Sequence, residues 1–349
     1  MTTERSESFC AFCSAPFGIL ETGSCDSNNG EQRSKEHGCY DSDLLDIEDM
    51  RWLQNVWGML TYYPDDPYYK LVQLRYDATH VPRNCFAVVN PDNGMEDLPD
   101  DGDQWYSYAY PPDVQPLLFP FHKHCLDLFR RCQLRSTKRV DYDRLYQSMT
   151  QLCEDNNLNI PYGEIRGPST NGWYTEPGEE FSVCSPQAPA LVMKCFQGNK
   201  LFYKNDTTSL PNLSRKVRRD PFGHLPYEIL RMILEYLSAS EIMCLNRASW
   251  IVHRHPHDPT HWRRRIREAM PWFWELSDFL DEPENSDIDV KRAYLYSDWN
   301  TSPKYGHKGL LMAVANRRRI WGVCELLVER CRVNKQSPLP LGEWSEWDE

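Results

Sequence analysis

The chain has 349 residues, of which 40% are hydrophobic and 13% aromatic, a composition that excludes a disordered polypeptide and suffices for two or three folded domains. The formal net charge of −12 argues against nucleic acid as a main partner, because neutralising phosphates requires a basic face. The first residues lack the apolar core of a signal peptide, and no window approaches the length of a membrane span. We therefore expect an intracellular protein, in the cytoplasm or the nucleus, with no membrane partner.

The thirteen cysteines are expected to be reduced in such a compartment, so burial or metal binding becomes their expected role. Cys10 and Cys13 have the Cys-x-x-Cys spacing in which a tight turn brings two thiolates to one tetrahedral Zn²⁺. His122 and Cys125 are three residues apart at the start of a predicted helix, so both side chains can point the same way. Together these four residues predict a Cys₃His zinc site.

Two alternatives to this site remain open. Cys25, His37 and Cys39 are rival ligands, and Cys10 with Cys13 can instead be a reduced pair of core residues in an apolar strand. Redox catalysis is not expected, because no thioredoxin-like βαβ pattern follows the pair.

The segment before residue 205 is predicted to be an α+β domain. Capping and apolar periodicity indicate helices, and β-branched or aromatic runs indicate strands. The predicted helices cover residues 43–57, 125–132 and 142–153, the last capped by Asp141. The predicted strands cover residues 85–89 and 105–110, on either side of an acidic turn, and residues 190–196 and 200–204, which form a hairpin around a Gly-Asn turn.

The next segment contains a predicted helix over residues 226–237 that is apolar on nearly every side. Its charged residues, Glu228, Arg231 and Glu235, form one narrow stripe, so the helix must be buried on two sides. A second short helix follows from Glu241, with Ser240 as its cap, and a third covers residues 261–270. Three short helices make a poor core alone, and one of them therefore needs a further partner.

The run from Leu225-Pro226 to Leu237, followed by Leu245-Asn-Arg-Ala-Ser-Trp250 and Trp262, resembles an F-box. The F-box is the helical module by which substrate receptors dock onto the Skp-type adaptor of cullin-RING ubiquitin ligases. The resemblance covers residues 222–267 and implies adaptor-contact or packing positions at Leu225, Pro226, Ile229, Ile233 and Leu237. An ordinary buried helical hairpin within a larger domain is the alternative.

Three further segments look like one fungal F-box family. The family has a Cys-x-x-Cys-like start and a distant Phe-Pro-x-His-x-x-Cys segment, present here as Phe119-Pro-Phe-His-Lys-His-Cys125, and Asn316-Arg-Arg-Arg-Ile-Trp321 is also similar. Ser14 departs from the family, in which a glycine usually follows the second cysteine.

The predicted organisation has four parts. Residues 1–204 form the α+β domain and candidate substrate reader, 205–221 a linker, 222–267 the F-box, and 268–349 a C-terminal helical region. Helices are predicted over residues 290–299 and 310–330, and the C-terminal helices are expected to pack back on the N-terminal domain. The basic runs 263–265 and 317–319 are interpreted as solvated or adaptor-facing charge.

No motif of a catalytic site is present, so the chain is not expected to be an enzyme. The resemblance implies a substrate-recognition subunit of a cullin-RING (SCF-type) ubiquitin ligase, with an unknown protein as substrate. The alternative is a scaffold protein that binds the adaptor without delivering substrates for ubiquitination.

Overall fold

The computed structural model describes residues 8–18, 20, 40–60, 70–75, 85–89, 96–97, 105–108, 118–154, 157–169, 172–187, 190–197, 202–203, 220–254 and 259–333. The chain forms two compact units, one of residues 1–187 with 303–349 and one of residues 188–302. The division differs from the predicted organisation, because residues 188–204 and residues 268–302 belong to the second unit. Within the described residues, no helix combines the length and the apolar character needed to cross a membrane.

The fold class is α+β, as predicted. The first unit contains a six-stranded sheet in which the paired strands are antiparallel, in the order β4-β3-β2-β1-β6, with β5 also paired to β3. The strands are β1 (Val56–Leu60), β2 (Lys70–Arg75), β3 (Cys85–Val89), β4 (Glu96–Asp97), β5 (Trp105–Tyr106) and β6 (Leu118–His122). The predicted strand at residues 85–89 is confirmed, and of residues 105–110 the strand takes the first two.

Gly58 and Pro120 face each other where β1 pairs with β6. A Cβ atom on Gly58 would lie 2.6 Å from the Leu118 side chain and 2.7 Å from that of Leu74, so a larger residue would require both leucine side chains to shift. Pro120 cannot donate to a neighbouring strand, which suits its position on β6 at the end of the sheet. Its carbonyl oxygen instead accepts a 2.9 Å hydrogen bond from the N–H of Ala11. The N-terminal segment is thereby attached to this edge.

The described part of the first unit contains four helices, one of which directly follows β6. They are α1 (Ile47–Met50), α2 (Lys123–Leu134), α3 (Tyr142–Leu152) and α10 (Met312–Val333), with 3₁₀ turns at Arg51–Gln54 and Glu180–Ser182 and the short hairpins β7 (Cys153–Glu154) with β8 (Asn157–Leu158) and β9 (Pro168–Ser169) with β10 (Gly172–Trp173). The helices expected over residues 125–132 and 142–153 are confirmed, and Asp141 caps α3 by accepting from the N–H of Arg144.

The helix expected over residues 43–57 forms only in part, as α1 and the 3₁₀ turn at Arg51–Gln54. The side chain of Asp46, rather than a residue near 43, caps α1 by accepting a 2.8 Å hydrogen bond from the N–H of Asp49. From Val56 onward the chain pairs with β2 and β6, and this pairing on both sides overrides the helical pattern.

The C-terminal helix α10 packs on α2 and α3, which confirms that this helix returns to the N-terminal domain. Trp321, Cys324 and Leu327 are among its buried residues, and the guanidinium of Arg135 on α2 lies 6.0 Å from the centre of the Trp321 ring. The other C-terminal helices do not take part in this unit, because residues 268–302 belong to the second.

The second unit is helical. It contains α4 (Tyr227–Tyr236), α5 (Ala239–Ala248), α6 (Trp250–Arg254), α7 (Pro259–Ala269), α8 (Trp274–Asp281) and α9 (Val290–Asn300), with 3₁₀ turns at Ala190–Cys195, Pro221–His224 and Pro283–Asn285. Ser238, not Ser240, caps α5, through a reciprocal pair of hydrogen bonds with Glu241. The helix expected over residues 290–299 is confirmed, whereas α6 and α8 lay outside the predictions.

The hairpin expected over residues 190–204 is wrong in its first strand, which is a 3₁₀ helix. Val192 and Phe196 are buried, and the Phe196 ring lies 5.0 Å from that of Phe202 and 6.2 Å from that of Phe279. A short apolar run fits a strand and a buried helix equally well, and packing against α8 and α9 decides between them.

Candidate metal centre and apolar helix surface

The four residues predicted as metal ligands come together in the first unit. One ligand atom from each of Cys10, Cys13, His122 and Cys125 lies within 4.8 Å of those of the other three. All four residues are fully buried, and the three cysteines are free thiols. The arrangement can hold a metal ion. The rival ligands Cys25, His37 and Cys39 lie outside the described residues.

The first half of the centre is a tight turn at the N-terminal segment. The N–H of Ser14 donates a 2.7 Å hydrogen bond to the carbonyl oxygen of Cys10, and the N–H of Cys10 donates a 2.9 Å bond to that of Ala15. Ser14 closes the turn with φ of 56°, in the left-handed region that glycine tolerates best. Ser14 thus occupies a position at which the positive φ favours glycine, the residue that is usual there in the family that this segment resembles.

The second half is the junction between β6 and α2. His122 is the last residue of β6 and the N-cap residue of α2, and Cys125 lies in the first turn of that helix. The N–H of His122 points to the sulfur of Cys10 at 3.4 Å, and the N–H of Ala15 points to that of Cys13 at 3.5 Å. Backbone donors aimed at sulfur stabilise thiolates.

The orientation of the His122 ring is fixed from outside the centre. Its Nε2 lies 3.2 Å from the carbonyl oxygen of Pro16, which can only accept, so Nε2 carries the proton. Nδ1 is then the atom with a free lone pair, and it lies 3.4 Å from the Cys13 sulfur. The rings of Trp52 and Phe17 pack at 4.6 and 5.0 Å from the imidazole and close the site to water.

These distances fit a tetrahedral ion. Zinc–sulfur bonds of about 2.3 Å place sulfurs about 3.8 Å apart, and a shorter zinc–nitrogen bond places nitrogen about 3.5 Å from sulfur. The separation of 3.4 Å between His122 Nδ1 and Cys13 Sγ agrees with the second value, and all four ligand atoms lie within 4.8 Å of one another. Four buried protein ligands leave no open coordination position, which is typical of a structural rather than a catalytic centre.

The three thiols differ in their tendency to ionise. Burial raises the pKa of Cys10, but hydrogen bonds donated by Cys125 and Cys13 outweigh this effect and hold the pKa well below its usual value. Burial and then the neighbouring Cys10 raise the pKa of Cys13 and of Cys125 well above theirs. A divalent ion binds cysteine as the thiolate, so metal binding at this site would release protons from the thiols.

Arg319 on α10 also belongs to the surroundings of this centre, and the sequence analysis missed it. The solvated interpretation of residues 317–319 is wrong for two of the three, because Arg317 is 1% and Arg319 is 6% exposed. Arg319 Nη1 donates a 2.7 Å hydrogen bond to the carbonyl oxygen of Cys13. The only sequence signal was a run of three arginines between two apolar stretches of one predicted helix.

The second candidate site is the outer face of α4 in the second unit. Its exposed apolar side chains recur every three or four residues, so they form one stripe along the helix. Ile229, Met232 and Tyr236 make up this stripe, and Leu225 and Pro226 precede it as exposed residues. Leu230 and Leu234 lie on the opposite side and are buried. The predicted contact positions Ile233 and Leu237 are half-buried, between the two faces.

Helix α7 is bonded to the C-terminal end of α4. Arg265 on α7 donates hydrogen bonds to the carbonyl oxygens of Leu234 and Leu237, at the end of α4 where carbonyl groups lack helical partners. Arg264 forms a 2.5 Å ion pair with Glu235. Arg264 and Arg265 therefore form bonds within the second unit, while the apolar stripe of α4 faces outward.

A scan of protein-family models, a search of curated proteins and a search of solved structures each find no match to this chain. The resemblance to an F-box therefore stays a prediction from the residues quoted for it.

Proposed function

We propose that this chain is a substrate-recognition subunit of a cullin-RING ubiquitin ligase and docks onto a Skp-type adaptor through residues 222–267. The observation that carries the proposal is the outward stripe of α4 with the residues just before it: Ile229 on the stripe is 42% exposed, and Leu225, which precedes the helix, is 37% exposed. Contiguous exposed apolar side chains are typical of interaction sites, and a helix lying in an apolar groove is a common mode of docking.

The two sides of α4 have separate roles in this proposal. Leu230 and Leu234 attach the helix to its own unit, and the stripe from Ile229 to Tyr236 meets the adaptor. The sequence predicted an all-round apolar helix, and one face of it is exposed in the described unit. The F-box resemblance supplies a partner for that face.

The first unit is the substrate reader in this proposal, and Zn²⁺ is its structural ion. Cys10, Cys13, His122 and Cys125 would hold the ion, which ties the N-terminal turn to the β6–α2 junction across more than a hundred residues. Three sulfurs and one imidazole nitrogen are the donor set that zinc prefers in closed sites. The zinc would contribute folding free energy rather than chemistry.

The role of the chain is positional under this proposal. A receptor that holds a substrate beside a ubiquitin-charged enzyme raises the effective concentration of the two reactants. Catalysis by the chain itself is not part of the proposed function.

The proposal is tested by co-purifying the full chain with the adaptor and cullin. We expect both to be recovered with the wild type, and the double substitution Leu225→Ala, Pro226→Ala to weaken adaptor binding by about 30-fold or more, as for central interface anchors. Glu228→Ala, at an exposed polar position of α4, is the matched control and should bind normally. Recovery of the adaptor without cullin would favour the scaffold alternative, and equal binding by the double variant would contradict the proposed docking face.

A further inference from the structure

Arg319 is a buried cation in the first unit, and its position raises the question of what balances its charge. The side chain directs its N–H groups to acceptors on three different segments and on its own helix. The acceptors are the carbonyl oxygens of Cys13 (2.7 Å), Tyr162 (3.3 Å) and Ser182 (3.2 Å) and the side-chain oxygen of Asn316 (2.9 and 3.2 Å).

All of these acceptors are neutral. They satisfy the hydrogen-bonding capacity of the guanidinium, but they leave its positive charge in a dry interior, which is costly without a nearby anion. Arginine nevertheless stays protonated in proteins.

The buried carboxylate of Glu179 is engaged elsewhere. Its two oxygens accept hydrogen bonds of 2.8 and 3.0 Å from the N–H of Arg166. Among the described residues, no carboxylate forms an ion pair with Arg319. The cysteine cluster is thus the main source of negative charge for this guanidinium.

A centre loaded with a metal ion would carry a net negative charge, because all three cysteines bind as thiolates. Three thiolates, a neutral imidazole and a divalent ion leave one net negative charge, and Arg319 carries one positive charge. The contact at Cys13 places the guanidinium directly behind one of the ligands, where outer-shell groups orient and tune a metal site.

We propose that Arg319 is the counter-ion of the metal centre: its guanidinium neutralises the three-thiolate site through the backbone of Cys13 and so links metal binding to the docking of α10. The inference rests on the zinc centre proposed above. The charge of the guanidinium, and not only its hydrogen bonds, then contributes to metal affinity.

The test measures the Zn²⁺ affinity of the full chain by competition with a chromophoric chelator. Arg319→Gln keeps hydrogen-bond donors but removes the charge, and we expect it to lower the affinity by about 10- to 100-fold, as for other outer-shell changes. Arg319→Lys keeps the charge and should stay within about threefold of the wild type. Arg317→Gln is the matched control, because Arg317 is buried on the same helix and donates a 2.6 Å hydrogen bond to the carbonyl oxygen of Pro186, away from the four ligands.

Equal affinities of Arg319→Gln and the wild type would overturn the counter-ion role while leaving the zinc centre intact, as would an equal loss in Arg317→Gln. A wild-type chain that binds no zinc would overturn both proposals. Should Arg319→Gln fail to fold, Cys125→His combined with Arg319→Gln removes both charges and should recover metal binding, since a two-thiolate, two-imidazole centre is neutral. Failure of this double variant to bind more tightly than Arg319→Gln would also contradict the role.

Discussion

The ammonium group of Lys291 on α9 donates a 2.7 Å hydrogen bond to the side-chain oxygen of Asn246 on α5. It also lies 5.9 Å from the centre of the buried Trp262 ring on α7. Three helices of the second unit thus converge on one buried cation. This cation makes the stability of the unit depend on pH.

We expect the second unit to become more stable between about pH 8 and pH 10.5. Burial lowers the pKa of Lys291 from 10.5 to about 8, partly offset by Asp289. In this window the unfolded chain holds the proton that the folded unit has lost, so the free energy of unfolding rises with pH by on the order of 3 kcal/mol. Below about pH 8 the contribution of Lys291 does not change with pH. Hydrogen exchange of α5 and α9 measures the rise. The Lys291→Met variant should lose the rise in stability, whereas the control Lys194→Met, at an exposed position, should keep it. A rise that persists in Lys291→Met would show that other groups cause it.

The purified chain should contain about one equivalent of zinc by elemental analysis. Cys13→Ser should release it, because a hydroxyl does not replace a thiolate ligand, and should lower the thermal stability of the first unit alone. Cys244→Ser is the control, since Cys244 is an exposed free cysteine of the second unit. A metal-free wild type whose first unit melts like that of Cys13→Ser would return these cysteines to an ordinary core role.

The metal ligands were predictable because each half of the site is local in sequence. Cys10 and Cys13 share one turn, and His122 and Cys125 share the start of one helix, so spacing alone pairs the side chains. Arg319 was not predictable, because it meets Cys13 from 306 residues away. A run of arginines normally indicates a solvated face, and the cysteine–histidine cluster beside which Arg319 is buried is assembled only by the fold.

The segments predicted wrongly fail for a related reason. Residues 43–57 and 190–196 have apolar patterns that are compatible with more than one element. Val56 becomes a strand residue through its pairing with β2 and β6. Phe196, directly after the 3₁₀ helix, packs against the rings of Phe202 and Phe273. The tertiary partners that decide these cases are not visible locally.

Trp321→Ala should destabilise the first unit by about 3–5 kcal/mol, because it empties a large volume where α10 packs on α2 and α3. Urea unfolding followed by hydrogen exchange of α2 and α3 measures the loss, and the second unit should be unaffected. Arg330→Ala, at an exposed position of the same helix, should stay within about 0.5 kcal/mol of the wild type. Unchanged exchange of α2 in Trp321→Ala would show that α10 adds little to the stability of this unit.

The neighbouring residues Ile229 and Leu230 separate docking from folding on α4. Ile229 is 42% exposed on the outer stripe, and Leu230 is 2% exposed against its own unit. Ile229→Ala should weaken adaptor binding by about 1–2 kcal/mol, with the stability of the unit within about 0.5 kcal/mol of the wild type. Leu230→Ala should instead cost about 2–5 kcal/mol of stability through the cavity that it leaves.

Titration calorimetry with the purified adaptor and urea unfolding of each full-length variant measure the two quantities side by side. The contrast is sharp because both substitutions remove aliphatic groups of the same size from adjacent positions. Docking by the outer stripe requires that the losses fall on different measurements. Normal adaptor binding by Ile229→Ala would place the adaptor elsewhere on the chain, and unfolding of the unit by that variant would mean that the exposed stripe is covered by the protein itself.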